Sequence, residues 1–537
     1  MSVGDQDGIN SLLEKLGNPG KFQVISYAIL VTNVFCVISN HLSAVFYTAK
    51  TEFYCRANYN ESNVTQFNHE KDECSIKYLK NNVSVTVPCS NGWIYRLKHG
   101  ENTIISEFNL VCGDAYKSEL STTLYFGGVL VGALLYGGLA DKYGRKRCLA
   151  IAQVLSGVLS FAVVFIRYFY AYAVLRFFLG IQLQALVMVS FVLGMEMCTT
   201  KYRGLVGVAF GIFSMAGGGI LGVIAFFIRD WKYIQLTLSF FPFIQLCLLW
   251  FVPESIRWLI LHEKFDKVER AIQRIKSFNN LPQSADVLQE IKMLKDRRMN
   301  DLARKGNIVD LFKSTELRKR SFLLLLGWFT VSAAYYGLSF NISFLFGDKY
   351  LNFGVGIVMD TLVISASFWA LPRFGCRRPI VLLFAVCGIA NFVSVATTAV
   401  QSDKLVVKLL GTVTSLVGKS SAIASLNALS IFTAELYPTA IRNAAVGFCS
   451  ACTRMGGMLA SQIFLIGSYT AVYVPFGILG VLSVISCVLV LYLPETHNKA
   501  LTDTLHRRSS VLVEEDFCDV DAKDCTEEKH LVQETSL

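Results

Sequence analysis

Twelve long apolar runs, separated by mostly short polar segments, constrain the fold of this chain more than any other feature of its sequence. A helix needs roughly 20 mostly apolar residues to cross the hydrocarbon core of a bilayer, and it satisfies its own backbone hydrogen bonds there. Charged residues make up only 17% of the chain, whereas soluble domains have about 25%. We therefore predict an all-α membrane protein with transmembrane helices at residues 22–46, 117–139, 147–167, 171–193, 205–228, 233–252, 321–343, 350–372, 379–400, 406–432, 441–464 and 471–493.

The distribution of Lys and Arg predicts which side of the membrane each loop occupies. The short loops after spans 2 and 8 are basic, with Lys142, Arg145, Lys146, Arg147, Arg373, Arg377 and Arg378. Basic loops stay in the cytoplasm, so we expect residues 1–20, 253–320 and 494–537 to be cytoplasmic. This placement also explains the net charge of +10 without a nucleic-acid partner, which we do not expect.

The long outer loop, residues 47–116, carries two extracellular signals. Asn-X-Ser/Thr glycosylation acceptors lie at Asn60, Asn63 and Asn82. Four cysteines suit two disulfides in an oxidising compartment, with three possible pairings: Cys55, Cys74, Cys89 and Cys112. These signals predict a glycosylated, multi-pass protein of the plasma membrane.

Corresponding strings recur in the two halves of the chain. Glu196 lies seven residues before Arg203, and Glu435 lies seven residues before Arg442. The Pro-Glu pair that contains Glu254, after span 6, recurs after span 12. Such a duplication indicates two six-helix bundles related by an axis along the membrane normal. The predicted organisation is a bundle at 21–252, a cytoplasmic linker at 253–320 with an amphipathic helix at 264–278, and a bundle at 321–493.

Three strings carry a resemblance to a known family. Residues 137–147 (GGLADKYGRKR) resemble the major facilitator signature between helices 2 and 3, and residues 253–259 (PESIRWL) resemble the signature after helix 6. Residues 433–443 (TAELYPTAIRN) match solute carrier family 22, the organic cation, carnitine and organic anion carriers, almost residue for residue. The resemblance implies the major facilitator fold, two six-helix bundles that rock to expose a central site alternately. The sequence contains no ATP-binding P-loop, so we expect gradients to drive transport, with no cofactor and no metal.

The same resemblance implies which residues control the conformational change. In the superfamily, the residues of these strings break and reform contacts as the bundles move, and an Arg in helix 4 organises a central hydrogen-bond network. The residues that match these positions are Asp141, Gly144, Arg145, Arg176, Glu196, Arg203, Glu254, Arg257, Glu435 and Arg442.

Charged residues inside the spans mark the candidate substrate site, because an ionised group at mid-membrane costs about 2.5–3.5 kcal/mol on insertion scales. Asp360 in span 8 either attracts a cation or fixes helix packing through a buried ion pair. Lys419 in span 10 resembles a lysine of the carnitine and anion members. Arg454 in span 11 resembles an arginine of the same members. An Arg there grips a substrate carboxylate through two parallel hydrogen bonds, or alternatively neutralises Asp360.

Aromatic and amide side chains complete the predicted substrate site. Tyr335 and Tyr336 in span 7 and Asn427 in span 10 match positions that face the cavity in the family, with Phe340 and Trp369 as neighbours. An aromatic face attracts a quaternary or protonated amine by about 0.5–2 kcal/mol. The alternative for each aromatic side chain is packing against lipid or another helix.

The predicted function is transport of small organic ions, either a zwitterion such as carnitine or an organic cation. Ile364 stands where anion carriers commonly have a lysine, which disfavours an organic anion as substrate. An organic anion transporter, a ligand-binding sensor on a transporter fold and a sugar transporter are the alternatives. The sequence offers no catalytic triad, metal cluster or paired carboxylates, so we do not expect an enzyme. Thr535 and Leu537 at the chain end resemble a ligand for PDZ domains, a further candidate partner.

Overall fold

The apolar runs form helices in the computed structural model, which describes residues 11–17, 19–49, 51–56, 64–68, 74–80, 83–89, 91–97, 100–281, 310–400 and 402–496. The glycosylation acceptors Asn60, Asn63 and Asn82 lie outside these residues, as do Thr535 and Leu537 of the proposed PDZ ligand. Glycosylation and PDZ binding therefore stay predictions.

Twelve long helices correspond to the twelve predicted spans. They are α1 (Lys21–Leu42), α2 (Tyr116–Tyr143), α3 (Arg145–Val163), α4 (Phe169–Met197), α5 (Arg203–Ile228), α6 (Trp231–Leu249), α7 (Thr315–Phe340), α8 (Lys349–Phe374), α9 (Arg377–Ala399), α10 (Leu405–Leu436), α11 (Thr439–Tyr469) and α12 (Val474–Leu491). Eleven of them begin before the predicted boundary, and five of these also end after it, since a helix that crosses the hydrocarbon core continues into the polar interface.

Eleven of these helices are long and apolar enough to cross a membrane. The remaining one, α11, has 31 residues, but Arg454 and Gln462 interrupt its apolar sequence. Polar residues at this depth face the interior of the bundle rather than lipid. The membrane part is therefore all-α, as predicted, with the arrangement of the major facilitator fold.

Glycines bring α2 and α4 into backbone contact inside the first bundle. A Cβ added to Gly128 of α2 would lie 2.0 Å from the carbonyl oxygen of Phe177, and one added to Gly180 of α4 would lie 2.3 Å from that of Tyr125. Only glycine permits such an approach, which is typical of packed membrane helices. The contact holds these two helices of the first bundle in a fixed register.

The two bundles meet through two pairs of helices. In the first pair, α2 packs on α11, and Gln462 Nε2 donates a hydrogen bond to Thr123 Oγ1 at 2.7 Å. In the second pair, α5 packs on α8, where a Cβ added to Gly222 would lie 3.0 Å from the ring of Phe353. These contacts lie toward the outer ends of the helices, so the outer face between the bundles is closed.

The outer loop contains two small sheets that the sequence analysis did not predict. Their strands are β1 (Glu52–Cys55), β2 (Val64–Asn68), β3 (Ser75–Lys80), β4 (Val83–Pro88) and β5 (Trp93–Arg96). β1 pairs with β5, and β2, β3 and β4 form a second sheet, all antiparallel. The strands are short and flanked by polar residues, so they give only a weak pattern beside the long helices.

The structure selects one of the three possible disulfide pairings. Cys55 at the end of β1 is bonded to Cys89, which follows β4. Cys74, just before β3, is bonded to Cys112, which precedes α2. The second bridge therefore ties the three-stranded sheet to the outer end of a membrane helix.

The predicted amphipathic helix of the cytoplasmic linker is present as Phe265–Phe278. It buries Val268, Ile272 and Ile275 on one side, at the three- and four-residue spacings of a helix face. Lys267 and Arg270 remain exposed on the other side, whereas Lys276 is buried and Arg274 lies over the rings of Phe22 and Phe251. The linker helix therefore packs on the cytoplasmic end of the first bundle.

Candidate functional site

Asp360 and Lys419 form an ion pair inside the second bundle. Lys419 Nζ of α10 lies 2.7 Å from Asp360 Oδ2 of α8, and Ser420 Oγ donates to Asp360 Oδ1 at 2.6 Å. Asp360 is completely buried and Lys419 is only 1% exposed. Both carboxylate oxygens are therefore satisfied by α10. Of the alternatives considered for Asp360, this geometry corresponds to the buried ion pair, with Lys419 rather than Arg454 as the partner.

Arg454 of α11 lies half-buried at the interface between the bundles. Its charge interacts with His41 of α1 and Tyr336 of α7. Its Nε is buried and makes no hydrogen bond to any residue that the structure describes. A guanidinium with an unsatisfied donor at this depth is available to an anionic group.

Arg176 of α4 is the second isolated cation of the membrane interior. It is 3% exposed, and its guanidinium lies 4.5 Å from the ring centre of Tyr125 and 5.5 Å from that of Tyr47. Nη2 donates to Ser43 Oγ at 3.4 Å, whereas Nε and Nη1 have no partner within the described part of the chain. Cation–π contacts therefore stabilise this charge in place of a carboxylate.

His41 is a site residue that the sequence analysis missed. Its Nδ1 lies 2.6 Å from Tyr125 OH, and its ring contacts Phe126 in the first bundle and Tyr336 in the second. A single histidine within the apolar sequence of α1 was the only available signal, and its position opposite Arg454 depends on how the bundles pack.

Of the four predicted aromatic residues, Tyr335, Tyr336 and Phe340 are buried in or beside the site, whereas Trp369 is exposed. Tyr336 contacts Phe126 across the bundles, with ring centres 4.7 Å apart, and the ring of Tyr335 lies 5.6 Å from Lys419 Nζ. Trp369, by contrast, is 58% exposed, and its ring lies under the guanidinium of Arg373 near the end of α8. Its expected place beside the cavity stays a prediction.

Asn427 lies where α10 of the second bundle faces α5 of the first. Its Nδ2 donates to the carbonyl oxygen of Ile423 at 2.9 Å. Its Oδ1 lies 3.7 Å from the position that a Cβ would take on Gly211. The amide oxygen is therefore directed across the interface between the bundles.

The predicted conformational residues of the first bundle meet at the cytoplasmic end of α2. Arg145 donates to Glu196 through Nε and Nη2, both at 3.1 Å, and to Asp141 Oδ1 through Nη2 at 2.7 Å. The backbone N–H groups of Arg145 and Lys146 donate to Glu254 Oε1 at 2.9 and 3.1 Å. Glu254 thus binds the N-terminus of α3, where the helix dipole favours a negative charge.

Gly144 permits this arrangement. Its φ of 105° is a left-handed conformation that other residues rarely adopt, and a Cβ there would lie 2.5 Å from Glu254 Oε2. Trp258 Nε1 also donates to the carbonyl oxygen of Asp141 at 2.7 Å. The turn between α2 and α3 therefore binds the segment after α6 from two sides.

The second bundle repeats this arrangement with one change. Glu495 accepts the backbone N–H of Arg377 at 3.4 Å, as Glu254 does in the first bundle. Glu435 Oε2, however, accepts from Thr496 Oγ1 at 2.6 Å and from the Cys376 thiol at 3.2 Å. Burial and the neighbouring Glu435 carboxylate raise the pKa of Cys376 to about 12, so this thiol stays protonated near neutral pH.

The other arginines of the predicted motifs have less defined roles. Arg442 Nε and Nη2 are buried and find no hydrogen-bond partner among the described residues. Arg257 lies half-buried in the short helix Ile256–Leu261. Arg203 begins α5, but its side chain lies outside the described part of the structure. Their conformational roles stay predictions.

Comparison with known proteins agrees with this architecture. The profile of the family described as "Sugar (and other) transporter" matches residues 71–505. The chain is 31% identical to solute carrier family 22 member 6 of Pseudopleuronectes americanus, covering 92% of this chain and 93% of that one. It is 29% identical to organic anion transporter 3 of Sus scrofa, covering 92% of both chains. It is 27% identical to an organic cation transporter protein of Drosophila melanogaster, covering 93% of this chain and 94% of that one.

Solved structures support the fold independently of sequence. The inward-open conformation of the xylose transporter XylE from E. coli superimposes with a TM-score of 0.61 at 15% identity. The match covers 88% of this chain and 97% of that one. At this identity the similarity concerns the fold alone.

Proposed function

This chain belongs to the sugar (and other) transporter family and, within it, to solute carrier family 22, and we propose that it carries small carboxylate-bearing organic ions across the plasma membrane by alternating access. Organic anions fit its interior best. Arg454 is the group we assign to the substrate carboxylate, and Tyr336 and His41 line the same region. The cycle requires binding and movement of the bundles, and no covalent step.

The observation that carries this proposal is the ion pair between Asp360 and Lys419. The pair leaves Asp360 neutralised, so this acid no longer favours a cationic substrate. Arg176 and Arg454 then remain as charges without a carboxylate partner among the described residues of the helix centres. The local charge balance is positive, and a positive, poorly solvated cavity favours an anion.

Lys419 of α10 takes the place of the lysine that span 8 lacks. Ile364 disfavoured an anion because anion carriers commonly have a lysine on that helix. In this chain an ammonium group reaches Asp360 from α10 instead. The acid is compensated either way, so Ile364 no longer argues against an organic anion.

Arg454 suits a carboxylate because of its geometry as well as its charge. A guanidinium presents parallel N–H groups that match the two oxygens of a carboxylate. A hydrogen bond to a charged group contributes about 1.5–3 kcal/mol where water is excluded. One such contact accounts for roughly 10- to 150-fold in affinity.

A zwitterion such as carnitine is the second candidate. It is favoured by the aromatic cluster beside Arg454, in which the ring of Tyr336 lies 4.7 Å from Phe126 and 6.0 Å from Phe340. These faces suit a quaternary amine, while Arg454 takes the carboxylate of the same molecule. Asp360 and Lys419 then position α8 and α10 rather than contact the substrate.

Uptake into cells expressing the full chain tests the proposal. A labelled aromatic carboxylate, carnitine and a quaternary amine are offered to the wild type, Arg454→Ala and Arg454→Lys. Arg373→Ala is the matched control, because Arg373 stacks on the exposed Trp369 at 3.9 Å, away from the interior. We expect carboxylate uptake to fall at least tenfold in Arg454→Ala, less in Arg454→Lys and not in the control.

The same assay separates the alternatives. Uptake of the amine alone, unchanged in Arg454→Ala, would overturn the proposal and identify a cation carrier. Saturable binding of a carboxylate without flux identifies a sensor on a transporter fold. Uptake of a neutral sugar that none of the Arg454 variants affects identifies a sugar carrier.

A further inference from the structure

A cleft of about 730 Å³ opens at the cytoplasmic end of the second bundle. Its walls come from the start of α7, the start of α9 and the end of α12. This position is at the level of the inner membrane surface in the predicted topology, in which the segment before α7 and the basic turn before α9 are cytoplasmic. The cleft is separate from the proposed substrate site between the bundles.

The polar part of the cleft is positively charged. Lys319, Arg320 and Arg377 line it, with Glu316 as the only acid among its lining residues. Arg320 Nη2 contacts Glu316 at 3.2 Å, and Arg320 Nε is buried with no hydrogen-bond partner among the described residues. Arg377 Nη1 donates to the carbonyl oxygen of Leu493 at 3.2 Å, and this bond directs the guanidinium toward the end of α12. Three cations against one carboxylate leave the cleft able to bind an anion.

The outer wall of the cleft is apolar. Phe322, Leu491 and Tyr492 line it, and all three are large side chains exposed on the surface of the bundle. At this level of a membrane-spanning bundle, an exposed Phe or Leu contacts acyl chains, and an exposed Tyr lies at the headgroup boundary. A ligand that fills the cleft therefore meets cations at one end and hydrocarbon at the other.

We propose that this cleft binds an anionic phospholipid of the inner leaflet. The headgroup phosphate lies among Lys319, Arg320 and Arg377, and the acyl chains lie along Phe322 and Leu491. Basic pockets between membrane helices on the cytoplasmic side suit such headgroups, because both charge and depth are complementary. Phosphate is the shared chemistry of lipid and free anion, but only a lipid also uses the apolar wall.

Bound lipid has a mechanical consequence for the second bundle. Arg377 begins α9 and donates its backbone N–H to Glu495, which follows α12. A phosphate between α7 and α9 therefore adds a third contact to the cytoplasmic motif. We expect the thermal stability of the protein to rise with anionic lipid, whichever substrate it transports.

Lipid binding to the purified full chain tests the proposal. Native mass spectrometry with phosphatidylserine, phosphatidylinositol bisphosphate and phosphatidylcholine is applied to the wild type, Lys319→Gln and Arg320→Gln. Arg318→Gln is the matched control, an exposed cation of the same helix that does not line the cleft. We expect roughly fivefold weaker anionic-lipid binding for each lost cation, no change in the control, and weak phosphatidylcholine binding throughout.

Thermal unfolding of each variant keeps this test interpretable. Anionic lipid should raise the melting temperature of the wild type and of Arg318→Gln more than that of Lys319→Gln, in which only an exposed side chain is replaced. Equal lipid binding and equal stabilisation in all variants would overturn the proposal. A shift produced equally by inorganic phosphate would also overturn it, since the site would then be one for a free anion.

Discussion

Glu101 of the outer loop and Lys349 at the start of α8 form an ion pair 2.7 Å long that joins the two bundles at their outer ends. Both side chains are less than one-fifth exposed. Tyr350 OH donates to the other oxygen of Glu101 at 3.0 Å, and the ring of Tyr350 stacks on Phe46 of the first bundle. Alternating access separates the outer ends of the bundles, so we expect this pair to break in that step and to stabilise the closed state selectively.

We expect Glu101→Gln to increase the fraction of molecules that face outward. A partly buried ion pair contributes on the order of 1 kcal/mol, or about fivefold in that equilibrium, and the apparent affinity for external substrate should rise in proportion. Initial uptake rates against substrate concentration measure this change. Asp403→Asn is the control, because Asp403 pairs with Lys408 within the same bundle. The reversed pair Glu101→Lys with Lys349→Glu should restore the wild-type value, and a Glu101→Gln variant that behaves like the wild type would refute the role.

Asp360→Asn should be more destabilising than removal of the whole Asp360–Lys419 pair. The single change leaves the Lys419 ammonium buried without a counter-charge, which costs about 3–5 kcal/mol. The double variant Asp360→Asn with Lys419→Met removes that charge and should recover much of the loss. Melting temperatures of the detergent-purified proteins measure both. Equal losses in the single and double variants would argue that the ion pair does not control stability.

Gly144→Ala should weaken the cytoplasmic motif of the first bundle. The alanine would keep the strained backbone φ of this position, and its Cβ would lie 2.5 Å from Glu254 Oε2. We therefore expect the free energy of unfolding to fall by about 1–2 kcal/mol and transport to be slower. Gly138→Ala is the matched control on the same helix, because a Cβ there meets nothing within 4 Å. Equal behaviour of the two variants in thermal unfolding and uptake would contradict the structural role of Gly144.

We expect the protein to lose stability at alkaline pH because the buried thiol of Cys376 ionises there. Burial first, and the Glu435 carboxylate second, raise its folded-state pKa from 9.0 to about 12. The folded state therefore disfavours the thiolate. The contribution of the protonated thiol to stability is complete below pH 9 and is lost as the pH rises toward 12. The loss should reach about 1 kcal/mol by pH 10. The difference in melting temperature between the wild type and Cys376→Ala should shrink over this range; a difference that is constant with pH would disprove the assignment.

The disulfide pairing predicts which cysteine substitutions are additive. Cys55→Ser and Cys89→Ser each remove the same bridge, so the double variant should be no less stable than either single one. Cys55→Ser with Cys74→Ser removes both bridges and should lower the free energy of unfolding about twice as much. The two closed loops are of similar length, at 34 and 38 residues, and each bridge contributes about 4 kcal/mol in the chain-entropy model. Surface expression and thermal unfolding measure this. Additivity of Cys55→Ser and Cys89→Ser would indicate another pairing.

The parts of the fold that sequence reasoning found correctly are those with a local physical cause. An apolar run long enough to cross the bilayer must be helical wherever its neighbours lie, and the amphipathic spacing of Val268, Ile272 and Ile275 requires only a helix and one apolar surface. The recurrence of Glu196 and Glu435 likewise predicted two related bundles before any contact was known.

The parts that sequence reasoning left open depend on contacts between distant segments. Nothing near Asp360 in the chain indicates that Lys419 is its partner, since 59 residues separate them. His41 gains its place beside Tyr336 only when the two bundles meet. The sequence does not place Trp369 either, because the apolar residues of a membrane helix look alike whether they face lipid or protein.

The sequence by itself therefore determined a twelve-helix transporter with two related bundles and a small set of intramembrane charges, because membrane insertion penalises every unpaired polar group residue by residue. The tertiary structure alone decided which charges compensate one another. That choice leaves Asp360 neutralised and Arg454 available, because the rotation of each helix about its own axis is set by packing against its neighbours and has no signature in the local sequence.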